Sequence, residues 1–101
     1  MDLVFRALGD PTRRTMLRLL AEGDRSVGEL AAPFEMTFAG ASKHVKVLEV
    51  AGLVRRSVEG RTHICRLEAQ PLSEADEWLR YYGDFWTRRL DALERRLRRD
   101  R

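Results

Sequence analysis

The sequence predicts a mainly α-helical domain with one small β-hairpin, and three observations support that expectation. Apolar residues recur at helical spacing in separate blocks: Met16, Leu17 and Leu20; Ala41, Val45 and Leu48; and Leu72 through Leu97. Strand-like runs occur only at Leu53–Val58 and Arg61–Leu67. Capping and breaking residues mark the block edges: Asp10-Pro11, Ser26, Thr37, Gly52 and Pro71. A chain of 101 residues, 44% hydrophobic and 35% charged, makes a single globular domain over residues 1–101 with room for one modest core.

Each element has its own signal. Asp10 is a good N-cap, and Pro11 occupies the first helical position, where a missing N–H costs nothing. The Met16-Leu17-Leu20 stripe ends near Gly23. Arg13 and Arg14 fall in the first turn, where the helix dipole disfavours cations. They read either as a solvated face or as groups awaiting an external anion or acidic partner. Ser26 caps a short helix and Glu29 completes a capping box. Val27 and Leu30 give that helix its apolar face, Pro33 ends it, and Phe34-Glu35-Met36 make a turn. Thr37 caps the next helix, which buries Ala41, Val45 and Leu48 and leaves Ser42, Lys43 and Lys46 on the far side. Gly52 stops it at a position suited to a left-handed residue.

The hairpin follows, its strands joined at Glu59-Gly60. Val54 and Val58 face Cys65 and Leu67 as its apolar contacts, while Arg55, Arg56, Arg61 and Arg66 against Glu59 leave the ribbon strongly positive. Two helices in this relation, followed by a basic ribbon, form a winged helix-turn-helix, with the motif at about 26–51 and the wing at about 53–67. The expected partner is double-stranded DNA. Thr37, Ala39, Gly40, Ser42 and Lys43 are placed toward the major groove, His44 and Lys46 on phosphates, and Arg56 and Arg61 on the wing. Gly40 costs ~1 kcal/mol inside a helix relative to alanine, and its bare backbone would allow close approach to DNA.

Residues 71–99 read as one long helix. Ser73, Glu74, Asp76 and Glu77 precede the arginines of Arg88–Arg98, an order that suits the helix dipole. Leu72, Ala75, Leu79, Tyr82, Trp86, Leu90, Leu93 and Leu97 form a stripe, widened by Trp78, Tyr81 and Phe85. A helix of roughly 40 Å outruns the core of so small a domain. The expected cover is a twin copy of the chain, meeting Trp78, Tyr82, Phe85, Trp86, Leu90 and Leu93 together with Leu3, Val4 and Phe5 of the first helix.

The chain resembles the ArsR/SmtB family of bacterial repressors over nearly its full length. The resemblance rests on Ala7-Leu8-Gly9-Asp10-Pro11-Thr12-Arg13-Arg14, Ser26-Val27-Gly28-Glu29-Leu30-Ala31, Ser42-Lys43-His44-Val45-Lys46-Val47-Leu48 and Ala51-Gly52-Leu53-Val54. It implies a cytoplasmic, dimeric repressor that occupies an inverted-repeat promoter site and excludes polymerase. Metal-sensing members carry paired cysteines in the first motif helix, or Asp/His and His/Glu ligands on the last helix. Here the first site reads Gly28-Glu29-Leu30-Ala31-Ala32-Pro33, and the last helix offers Asp76, Asp84 and Asp91 without histidine. Borderline metals want nitrogen or sulfur donors, so no metal and no cofactor is expected.

Other function classes find less support. There is no Gly-rich phosphate loop, no nucleophile with an adjacent base and no carboxylate pair in an apolar setting, so an enzyme is not expected. No run is long and apolar enough to span a membrane, no signal peptide is visible, and the single cysteine fits a reducing cytoplasm. Cys65 reads as a small buried hydrophobe, and His63 as a solvated or phosphate-facing strand residue. The alternatives are a metal- or thiol-responsive sensor of the same family and a winged helix serving as a protein-interaction module. The inducer and the operator sequence are not legible in the chain.

Overall fold

The computed structural model describes residues 1–99. Helix α1 (Asp2–Leu8) leads through Gly9 into α2 (Pro11–Glu22), where Asp10 accepts from the Thr12 and Arg13 amides. Strand β1 (Arg25–Ser26) precedes α3 (Val27–Ala31), and a 3₁₀ turn over Ala32–Phe34 carries the chain on. Ser26 Oγ accepts from the Glu29 amide at 3.1 Å while Glu29 Oε1 accepts from the Ser26 amide at 3.0 Å, the reciprocal cap that the sequence predicts. Glu35 takes a left-handed conformation, φ 54°, to swing the chain into α4 (Phe38–Val50). Pro33 therefore sits inside the 3₁₀ turn rather than ending the segment.

Helix α4 ends as the sequence requires. Gly52 has φ 77°, its amide bonds the Glu49 carbonyl at 2.9 Å, and the Leu53 amide reaches back to Leu48 at 2.9 Å. Strands β2 (Val54–Glu59) and β3 (Thr62–Leu67) form the wing. The turn lies one residue later than the sequence predicts: Glu59 pairs with Thr62, so Gly60-Arg61 form the loop. Gly60, with φ 65°, holds its first central position, where a two-residue hairpin needs positive φ.

A third strand was not expected. β1 pairs antiparallel with β3, Arg25 opposite Cys65 and Ser26 opposite Ile64, giving the order β1-β3-β2. Two residues are too few to show alternation, and Ser26 serves both as strand end and as helix cap. The added strand places Cys65 in the middle of the sheet, fully buried, with Met16, Val27, Leu30, Val45, Leu48 and Leu53. Val54 is buried as expected, but Val58, on the same face farther out, is 60% exposed because the wing projects beyond the body of the domain.

Helix α5 (Gln70–Arg99) runs for 30 residues, about 45 Å. Only Ala75 of this helix is buried. The molecule measures 68 × 26 × 22 Å with a radius of gyration of 18.8 Å, against about 13 Å for a compact domain of this length. The helix leaves the body as a rod with Leu79, Tyr82, Trp86, Leu90, Leu93 and Leu97 bare along it. Near the body, Trp78 meets Phe5 of α1 at 5.4 Å and Tyr82 at 4.6 Å between ring centroids. Leu3, which lies near Val47 and Val50 of α4, is 48% exposed, but Val4 is only 6% exposed. Val4 thus belongs to the protomer's own core, a correction to its expected place on a partner-facing surface. It lies three residues before Ala7, and both point inward on the same side of α1.

Candidate nucleic-acid interface

Thr37 fixes the start of α4 by accepting the Gly40 amide at 3.1 Å. The buried stripe Ala41-Val45-Leu48 then sets which side of the helix faces out. Ala39 and Lys43 are four residues apart on the outward side, and Lys46 follows three later; all three are exposed. Ser42 lies toward the wing. With Phe38, Glu49 and Arg56 these residues line an open cleft of about 630 Å³ between α4 and β2. The cleft is open, it mixes apolar and charged side chains, and its cations without an ion pair among the described residues are the exposed Lys43 and Lys46.

Three sequence-predicted contacts are placed differently. Arg56, only 16% exposed, holds Glu49 of α4 at 2.8 Å through Nη2 and 3.0 Å through Nε, and approaches Ser42 Oγ at 3.4 Å. It is a brace between wing and helix rather than a free wing cation. His44 stands on the opposite flank from Ser42, where its Nδ1 lies 3.3 Å from Arg13 Nη1. A guanidinium has only donors, so Nδ1 is the acceptor and the ring proton belongs on Nε2. That contact joins His44 to α2 instead of leaving Nδ1 for a phosphate. Gly40 shares the His44 flank, half-buried, and a Cβ there would meet Thr37 Oγ1 at an ordinary 3.4 Å. No crowding within the protomer demands glycine.

The ribbon is less positive than its sequence implies. Arg55 pairs with Glu68 at 3.2 Å and Arg66 with Asp24 at 3.2 Å, acids contributed from outside the hairpin. With Arg56 on Glu49, Arg61 is the wing arginine without an ion pair among the described residues. It occupies the exposed second position of the Gly60-Arg61 turn.

Arg13 and Arg14 find their acceptors inside the molecule. Arg13 Nε–H donates to the Ala7 carbonyl at 2.8 Å and Nη2–H to the Arg6 carbonyl at 3.0 Å, while Arg14 Nη1–H reaches the Leu8 carbonyl at 2.7 Å. These are the last carbonyls of α1, the negative end of its dipole. A position unfavourable for α2 is favourable for α1. The acceptors belong to a neighbouring helix, so nothing within α2 itself signals them.

Burial pushes the Cys65 thiol above its ordinary pKa, only partly offset by the nearby Arg56 charge. A buried thiol with a raised pKa is unreactive. His63 packs edge-on against Phe38, ring centroids 6.4 Å apart, and its Nδ1 is buried without a partner among the described residues. It is half-buried rather than freely solvated.

Known proteins share this architecture. A family model described as a helix-turn-helix domain matches residues 8–57. Transcriptional repressor SdpR of Bacillus subtilis is 32% identical over 79 residues, covering 78% of this chain and 88% of that protein. HTH-type transcriptional regulator Rv2034 of Mycobacterium tuberculosis is 38% identical over 89 residues, covering 88% and 80%. The crystal structure of the ArsR-family transcriptional regulator RHA00566 superposes with a TM-score of 0.78 at 37% identity, covering 85% of this chain and 89% of that one. The chain belongs to the ArsR family. As an ArsR-family winged helix-turn-helix protein it is a DNA-binding transcriptional regulator and not an enzyme. Another neighbour is the homodimeric winged helix-turn-helix DNA-binding domain of Mb0332 from Mycobacterium bovis, at 28% identity and a TM-score of 0.66, covering 82% of this chain and 77% of that one. No helix among the described residues of this ArsR-family regulator is long and apolar enough to cross a membrane.

Proposed function

We propose that this regulator acts as a homodimeric repressor on an inverted-repeat operator in a promoter, without a metal signal. One observation carries the DNA reading: a side-chain-capped α4 presents Ala39, Ser42, Lys43 and Lys46 outward, beside a wing whose tip carries Arg61. Short side chains at the start of α4 read base edges, Lys43 and Lys46 meet base or phosphate, and Arg61 enters the adjacent minor groove. Arg56 and His44 support this face from within the domain.

The exposed stripe of α5 supports the dimer. Trp78, Tyr82, Phe85, Trp86, Leu90 and Leu93 make an apolar surface too long for the protomer to cover. A second α5, together with Leu3 and Phe5 of α1, buries it about a two-fold axis. The axis then presents two copies of α4 to successive major grooves, roughly 34–36 Å apart. The homodimeric Mycobacterium bovis neighbour and the repressor SdpR favour the same arrangement. Regulation without a metal rests on donor chemistry: His44 is engaged with Arg13, Cys65 is buried in the sheet, and α5 offers no histidine or cysteine.

The test is duplex binding followed by fluorescence anisotropy across a salt series, on an operator selected from random DNA. Steep loss of affinity with salt is expected, flattened by about one unit of slope in Lys46→Ala. Lys43→Ala should weaken one position of each half-site preferentially. Zinc or cadmium at micromolar levels should leave the complex intact. Salt-independent binding overturns the DNA reading, and stoichiometric metal-driven release overturns the absence of a metal signal.

A further inference from the structure

Phe38 is the residue that the protomer's packing leaves unexplained. It is the first residue of α4, directly after the Thr37 cap, and it is 56% exposed although Ala41, Val45 and Leu48 of the same helix are fully buried. His63 of β3 stands edge-on to its ring, 6.4 Å between centroids at an interplanar angle of 72°. It lines the cleft with Ala39, Ser42, Lys43 and Lys46. An oriented aromatic ring is therefore held at the mouth of a cationic cleft, with a second apolar side chain, Ala39, beside it.

We propose that Phe38, supported by His63 and flanked by Ala39, reads the 5-methyl group of a thymine in the operator half-site. The inference rests on the proposed docking of α4 in the major groove, and it adds a base-specific role to that docking. The chemistry leaves few options. Lys43 and Lys46 favour a polyanion in the cleft, and the start of a recognition helix is the part that reaches base edges. A phenyl ring cannot hydrogen-bond to those edges. The major-groove edges of the four bases carry donors and acceptors with one apolar group among them, the thymine methyl. Phe38 thus selects for that methyl and disfavours a polar edge in its place, where a base donor or acceptor would lose water without gaining a partner.

Uracil substitution isolates the methyl, because it removes that group and leaves every hydrogen-bonding atom of the base in place. Each thymine of the selected operator is replaced in turn by deoxyuridine, and binding is measured for the wild-type protein, Phe38→Ala and Phe38→Leu. One thymine per half-site should show an affinity loss of about four-fold, the value of one buried methyl, and about fifteen-fold when both halves are changed. Phe38→Ala should bind the natural operator more weakly and lose nothing further on uracil substitution. Phe38→Leu should retain part of the sensitivity, and an unchanged urea midpoint in both variants shows that the fold is intact. Indifference of the wild type to uracil at every position overturns the inference and leaves the docking of α4 standing. Equal sensitivity in wild type and Phe38→Ala also overturns it, by giving the methyl to another residue. Failure of the folded wild type to bind any selected duplex overturns the docking itself.

Discussion

Replacing Arg13 by alanine separates two accounts of the same side chain, one in which it awaits an external anion and one in which it closes α1. Its guanidinium donates to the Ala7 and Arg6 carbonyls, approaches His44 Nδ1 at 3.3 Å and stands 3.9 Å from Asp10. The bond to Ala7 is partly buried, and the arginine side chain is 14% exposed, so that carbonyl is poorly rehydrated when the partner is removed. A charged donor lost from such an acceptor costs about 1.5–3 kcal/mol. The bond to Arg6 is exposed and water can replace it, so it adds a fraction of a kcal/mol. The contact with Asp10 is long and half open to solvent, and it adds little. The sum is about 2–4 kcal/mol, a large share of the 5–15 kcal/mol typical of a domain. With a urea slope of about 2 kcal/mol/M, the unfolding midpoint should fall by about 1–2 M. The comparison must be made at one protein concentration, because association shifts apparent stability. Arg14→Ala, which loses a single exposed bond to Leu8, should cost under about 1 kcal/mol. An Arg13→Ala protein with an unmoved midpoint and much weakened operator binding would refute the closure of α1 and restore the external-anion account.

Two further outcomes follow from the same geometry. Burial raises the Asp10 carboxyl pKa, but the amides of Arg13 and Thr12 and the Arg13 charge outweigh it, leaving the group below its ordinary value of 3.8. Its cap is therefore fully stabilising above that value and is lost as pH falls through the depressed one. The stability gap between wild type and Asp10→Ala should be constant near neutrality and shrink below about pH 4; urea midpoints across that range check it, and a gap that widens in acid contradicts the assignment. Leu90→Arg, at a position 61% exposed in the protomer, should leave the fold intact yet convert the proposed dimer to monomer in sedimentation, with operator affinity falling well over ten-fold as the proposed second half-site is lost. A variant that sediments like the wild type would free α5 of that role.

What the sequence made legible was local. The Ser26–Glu29 box, the Thr37 and Asp10 caps, the left-handed Gly52 and the long α5 each depend on residues within a few positions of one another, and all are found. Features set by distant partners were hidden. Glu49 and Arg56 lie seven residues apart across a helix end and a strand start, where no periodicity links them. Asp24 meets Arg66 from 42 residues away, and Arg13 meets His44 from 31. The site followed the same rule. The outward face of α4 could be read from its helical period, whereas the engagement of Arg56 and His44 could not. Phe38 carries no signal in the sequence for a different reason: one aromatic residue at a helix start has no periodicity to say which way it faces, and only its exposure in the fold marks it.

The use of cations in this chain also explains why its charge composition was a poor guide to its surface. There are 17 arginines and two lysines. Two of the arginines with an identified partner work as forks that serve several acceptors: Arg13 two carbonyls and an imidazole, Arg56 a carboxylate and a hydroxyl. A planar guanidinium with five donors suits such positions, and a lysine ammonium cannot reproduce them. Both lysines are on α4, exposed, on the side turned away from the core. There they are hydrated point charges that can shift between phosphates as the helix settles in a groove. The residue type that dominates the composition therefore serves largely as scaffold on the helix-turn-helix body. The rare one marks the face that meets DNA in the proposed complex, with Arg61 at the wing tip as the arginine that joins it.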